Sequence, residues 1–130
     1  TVLVALSAMF SAMALTLLGG LTLALRIDEG ILRLAGGRAL SDTSAVTIRN
    51  AANTGLEITA GAGNSETIGS LAGDGAAGQV IIGTGATLTI NQTAAATFAG
   101  IISGAGNLIK SGGSTLTITG DASMTGTVTV

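Results

Sequence analysis

The chain has 130 residues, with five basic and seven acidic side chains, 21 glycines, and no proline, cysteine or histidine. That length is one domain or a part of one. The missing histidine and cysteine remove the commonest general base, the commonest metal ligand and all disulfide staples. Arg26, Arg33, Arg38, Arg49 and Lys110 are scattered along the sequence, so no basic run exists to neutralise a row of phosphates, and nucleic-acid binding is not expected.

Phe10 and Phe98 are the only aromatic residues, so Ala, Val, Ile and Leu must fill any interior. Such a core suits a thin layered structure better than a thick globule. Low charge with high apolar content also argues against disorder. Absence of cysteine fits an exported bacterial surface protein.

Residues 1–20 form an apolar, uncharged opening segment that admits three readings. The run Val2 to Phe10 followed by Ala12-Met13-Ala14 has the shape of a secretory signal, but lacks a basic lead. As a membrane helix, Thr1 to Leu25 just suffices in length, yet Gly19 and Gly20 interrupt it. As a strand or cap, it continues an alternation in which Leu15, Leu17, Leu21, Leu23, Leu25 and Ile27 all fall on odd positions. That period-two pattern favours the strand or cap.

From residue 21 onward short strand candidates follow quickly: Leu21–Ile27, Ile31–Leu34, Ala45–Arg49, Leu56–Thr59, Thr67–Leu71, Val80–Ile82, Thr87–Ile90, Phe98–Ile102, Asn107–Ile109, Thr115–Thr119 and Thr127–Val130. The β-branched residues in them fit a pleated surface. Glycine-centred turns such as GAGN, GDGAAG and GTGA separate them. A twenty-residue period gives one apolar column, Ile48, Ile68, Leu88, Leu108 and Val128. It gives a second, Ile58, Gly78, Phe98 and Ile118, broken only at Gly78. Two strands per twenty residues describe one rung of a parallel β-helix, in which no rung buries its inward residues without neighbours above and below.

The stretch FAGIISGAGNLIKSGGSTLTITGDASMTGTVTV, Phe98 to Val130, resembles the passenger-associated repeat of autotransporters, secreted proteins of Gram-negative bacteria. Phe98, Gly100, Ile102, Gly104, Gly106, Leu108, Lys110, Gly112, Leu116, Ile118 and Gly120 all fall in that repeat's phase. Ser114 stands where the repeat has glycine, Asp121 where it has asparagine, and Met124 where tyrosine is typical. The resemblance covers about a quarter of the chain closely, and residues 1–20 not at all. It implies an all-β fold, a right-handed parallel β-helix (β-solenoid) with about 20 residues per rung. It further implies display outside the cell or on the bacterial cell surface, through an outer-membrane translocator in a full-length parent. The expected layout is the apolar segment 1–20 and solenoid rungs over 21–130, with the repeat-like part at 97–130.

No catalytic, cofactor-binding or metal-binding constellation emerges. Gly73-Asp74-Gly75-Ala76-Ala77-Gly78 matches GxGxxG, but strand-like QVIIGTGATLTI follows where a dinucleotide site needs a helix, so it reads as a turn. Asp74 and Asp121 are isolated, unlike the spaced acids of calcium-binding β-rolls. Asp28 and Glu29 are adjacent, and neighbours on a strand face opposite ways. Asn50, Asn53, Asn64, Asn91 and Asn107 have spacings that do not build one ladder and read as separate turn-formers. Lys110 beside Ser111 reads as an exposed charge, with no histidine to activate any hydroxyl.

The expected function is therefore structural and without catalysis: a stalk, an adhesin segment or a self-assembling fibre subunit that associates with itself end to end. The alternative is an adhesin-type binding module for glycan or a host protein. Without Trp or Tyr platforms, that alternative ranks lower.

Overall fold

The computed structural model describes residues 2–15 and 21–130, with side chains from residue 24 onward. All described elements are strands: β1 Val2–Leu15, β2 Leu21–Leu34, β3 Ala45–Ile48, β4 Thr54–Ile58, β5 Ser65–Ile68, β6 Ser70–Gly73, β7 Gly78–Ile82, β8 Thr87–Asn91, β9 Ala96–Phe98, β10 Ile101–Gly104, β11 Asn107–Ser111, β12 Leu116–Ile118, β13 Ala122–Met124 and β14 Val128–Thr129. They stack in parallel as a β-solenoid of about five turns with about 22 residues per turn.

The pairing resolves into three faces. On the first, the leading half of β2 pairs with β3, and β6, β9 and β12 follow in order. On the second, the trailing half of β2 pairs with β4, and β7, β10 and β13 follow. The third face runs β5, β8, β11, β14. Strand β2 thus serves two faces. Gly30, at φ 78° between its two halves, turns the chain where a side-chain-bearing residue would be strained. Strand β1 runs parallel to β2 along its length, from Val2 opposite Leu21 to Leu15 opposite Leu34, with register shifts near Met9. The backbone of Val2–Leu15, including Ala12-Met13-Ala14, is a strand. Gly19 and Gly20 lie outside the described residues.

Inward positions alternate along β3 and β5 to β8, and in the paired strands each residue stacks on its counterpart one rung away. On the first face Ile27, Ile48, Gly73, Phe98 and Ile118 form one column. On the second, Leu32, Leu56, Val80 and Ile102 form another, all fully buried. This is one continuous apolar core running along the axis. No single rung could close it, so the rungs stabilise one another.

The uniform twenty-residue period needs correction. Leu88, Leu108 and Val128 do share a column, as do Phe98 and Ile118. Ile48, however, faces Gly73 rather than Ile68, Ile68 faces Ile90 rather than Leu88, and Ile58 faces Ile82 rather than Gly78. The extra residues of the earlier rungs sit in corners. Between the first two faces the corner spans 49–53 and then 74–77, but shortens to 99–100 in the next rung. A corner residue does not move the strands out of register, so corner length varies freely while the columns persist. Two predicted strands also divide. Thr67–Leu71 breaks at Gly69 into β5 and β6, and Phe98–Ile102 breaks at 99–100 into β9 and β10. The segment Ala122–Met124, not predicted as a strand, supplies β13.

Candidate functional site

Outward residues form columns as regular as the inward ones. On the first face Arg26, Thr47, Ala72 and Thr97 lie on successive rungs at outward positions. The corner that follows each strand contributes Arg49, Asp74 and Ala99 at matching places. Together with Gly73 these residues line an open groove of about 330 Å³. Phe98, the one aromatic side chain of the core among the described residues, lies behind its floor. The Phe98 ring packs so close to Gly73 that a Cβ there would meet it at 2.9 Å.

Two of the chain's five cations meet in this groove, although they are 23 positions apart in sequence. The scattering along the chain therefore does not hold in space. Arg26 places its Nε 2.6 Å from Asp28 Oδ1, and its side chain is 58% exposed. Arg49 is exposed and, among the described residues, has neither an ion pair nor a side-chain hydrogen bond. Asp74 lies one rung beyond Arg49 in the same corner series, so the groove is cationic over its first two rungs and anionic over the third. The signal in the sequence was available but needed the correct rung length. Arg49 and Asp74 are 25 residues apart, like their flanking Ile48 and Gly73.

Arg33, Glu57, Lys110 and Glu66 each have partners. Arg33 Nε donates to Glu57 Oε2 at 2.7 Å across the outer side of the second face. Lys110 is not the free surface charge expected: its register places it over Ile90, an inward position, and its Nζ donates to the carbonyls of Ser111 and Gly112. Glu66 is buried at an inward position beneath Leu88. Its two carboxylate oxygens accept from the Ala39 and Leu40 amides at 2.8 and 3.0 Å. Burial raises its proton affinity above the usual range, the two backbone donors act against that rise, and the charge of Asp42 adds to it.

The remaining sequence motifs find structural places. Gly73 to Gly78 is the corner between β6 and β7, and strand β7 starts at Gly78. The helix terminus that would hold a pyrophosphate is thus replaced by a strand. Asp28 is bound to Arg26, while Glu29 is exposed at the corner. The asparagines build no single ladder. Three of them instead tie one rung to the next: Asn50 Oδ1 accepts from Ala77 N, Asn64 Oδ1 from Gly36 N, and Asn107 Oδ1 from Thr127 N. Gln92, also buried, accepts from Leu71 N and donates to Ala94 O. Sequence reasoning missed these cross-rung ties, because the partner of a turn side chain is set by which turn lies beside it. Asn53 is the turn-former expected, with φ 57°.

Among the described residues no three acidic, histidine or cysteine side chains cluster as a metal site. No protein-family model, no curated protein and no solved structure matches this chain.

Proposed function

We propose that this chain works as a structural element outside the cell, a rigid β-solenoid of the autotransporter-passenger kind serving as stalk, adhesin segment or self-assembling fibre subunit. The observation that carries the proposal is the register. Four successive rungs extend β2 in parallel on the first two faces, and β3, β4 and β6 to β11 are each paired on both sides, with β5 at the edge of the third face. Such a stack is stiff along its axis, and its doubly paired strands offer no free edge to proteases or stray partners.

Catalysis is not part of the proposal. The carboxylates are dispersed: Asp28 sits on Arg26, Glu57 on Arg33, and Glu66 faces the core. End-to-end association is part of it. On the fifth rung, β12, β13 and β14 each have one paired neighbour among the described strands, and Ile118, Val128 and Val130 are exposed. A further rung from any chain would continue the same columns.

Sedimentation over a concentration series, with electron microscopy of the same samples, tests the assembly. Rods that lengthen with concentration are expected, and a monomer at every concentration overturns the fibre reading. Export is tested by fusing the chain to an outer-membrane translocator barrel in a Gram-negative host. Surface labelling of intact cells is expected, and retention inside them overturns the display reading.

A further inference from the structure

We propose that the groove on the outer side of the first face binds an acidic oligosaccharide, with the carboxylate of one uronic-acid unit held between Arg26 and Arg49. The groove belongs to the solenoid wall and does not depend on how the rod is displayed or assembled.

The charge comes first. The chain is acidic overall, yet this groove gathers two guanidinium groups, and one of them has no intramolecular partner among the described residues. A guanidinium presents a planar fork of donors that fits a carboxylate at two points. Arg26 spends its Nε on Asp28, which restrains the side chain and leaves its terminal nitrogens uncommitted to that bond, and Arg26 lines the groove. Arg49 lies at the corner one rung further on.

The class of ligand follows from the rest of the lining. Between rungs one and four the groove runs about 14 Å along the axis, three inter-strand spacings. Thr47 and Thr97 offer hydroxyls and Asp74 a carboxylate acceptor, with Ala72 and Gly73 as a smooth floor. A peptide would need either a free strand edge or pockets for alternate side chains. Neither is present: β3 lies between β2 and β6, β6 lies between β3 and β9, and no large apolar side chain lines the groove. A sugar chain needs hydroxyl partners along its length, and it needs no strand edge. The change of sign along the groove places the acid unit over rungs one and two. Asp74 then accepts from hydroxyls of a neutral unit and repels a second carboxylate.

The test is calorimetric titration of the protein with a trisaccharide carrying one terminal glucuronate. The comparison ligands are the same trisaccharide with that carboxyl reduced to the alcohol, and free glucuronate. Saturable binding of the acidic trisaccharide is expected, weakened by added salt. The reduced trisaccharide is expected to bind at least about tenfold more weakly, the scale of a charge-assisted hydrogen bond. Arg49→Gln is expected to lose a similar factor while melting at the parent temperature, since only the backbone of Arg49 is bonded within the fold and the substitution leaves it unchanged. Equal binding of acidic and reduced trisaccharides would overturn the role of the arginines. Free glucuronate binding as tightly as the trisaccharide would overturn the carbohydrate assignment and leave a simple anion site. Absence of binding by all three overturns the proposal.

Discussion

Phe98 lies directly over Gly73, one rung apart in the same inward column, and the missing side chain of the one makes room for the ring of the other. Phe98 is fully buried, so the pair sets the local thickness of the core. Gly73→Ala places a methyl against both the ring and the Ile48 carbonyl and is expected to cost about 1–3 kcal/mol by overpacking. Phe98→Ala leaves a cavity instead and is expected to cost about 3–5 kcal/mol. Because the two residues touch, Gly73→Ala should cost less in a Phe98→Leu background than alone. Denaturant midpoints for the parent, the three single variants and the double variant check this, and simple additivity would show that the contact does not couple them.

Glu66 makes stability depend on pH in a defined direction. Its proton affinity is raised in the folded chain, mainly by burial, so the folded state holds the proton more tightly than the unfolded state. The unfolding free energy then falls as pH rises from about the ordinary value of 4.5 through the higher folded value. Glu66→Gln cannot ionise and should flatten that part of the profile. Glu66→Ala removes the acceptor for two buried amides and is expected to cost at least about 2 kcal/mol. Urea midpoints of the three chains between pH 4 and pH 7, roughly the range of perturbed carboxyls, provide the measurement.

Thr54 has a fully buried hydroxyl whose Oγ1 has no hydrogen-bond partner among the described residues. Thr54→Val keeps the shape and removes the unpaired group, so it should be neutral or stabilising by up to about 2 kcal/mol. A midpoint lowered at unchanged denaturant slope would show that the hydroxyl is satisfied in solution.

Arg38 has φ 60°, a left-handed conformation that costs an ordinary L-residue about 1–2 kcal/mol. Glycine adopts it freely but loses more entropy on folding. Arg38→Gly should therefore stabilise the chain by roughly 0.5–1 kcal/mol. Thermal melts compare the two directly, and a lower melting temperature would mean that the exposed Arg38 side chain contributes packing that outweighs the strain.

The sequence by itself settles the class of fold. Alternation of apolar and polar residues dictates strands, glycine-rich segments dictate turns, and strands too short to bury a face alone dictate stacking. From Leu88 onward it also carries the register, because corners there are short and the rungs keep to twenty residues, as Leu88, Leu108 and Val128 show. Upstream, the corners at 49–53 and 74–77 lengthen the rungs, and columns drawn at a fixed period join residues on different strands. Only the tertiary structure decides which residues are neighbours there, because corner length is free while ladder hydrogen bonding and inward packing fix the pairs. For that reason the seat of Glu66 under Leu88, the match of Phe98 to Gly73 and the placing of Arg26 and Arg49 along one groove are properties of the stack. Each brings together residues on different rungs, and the chain between them carries no mark of it.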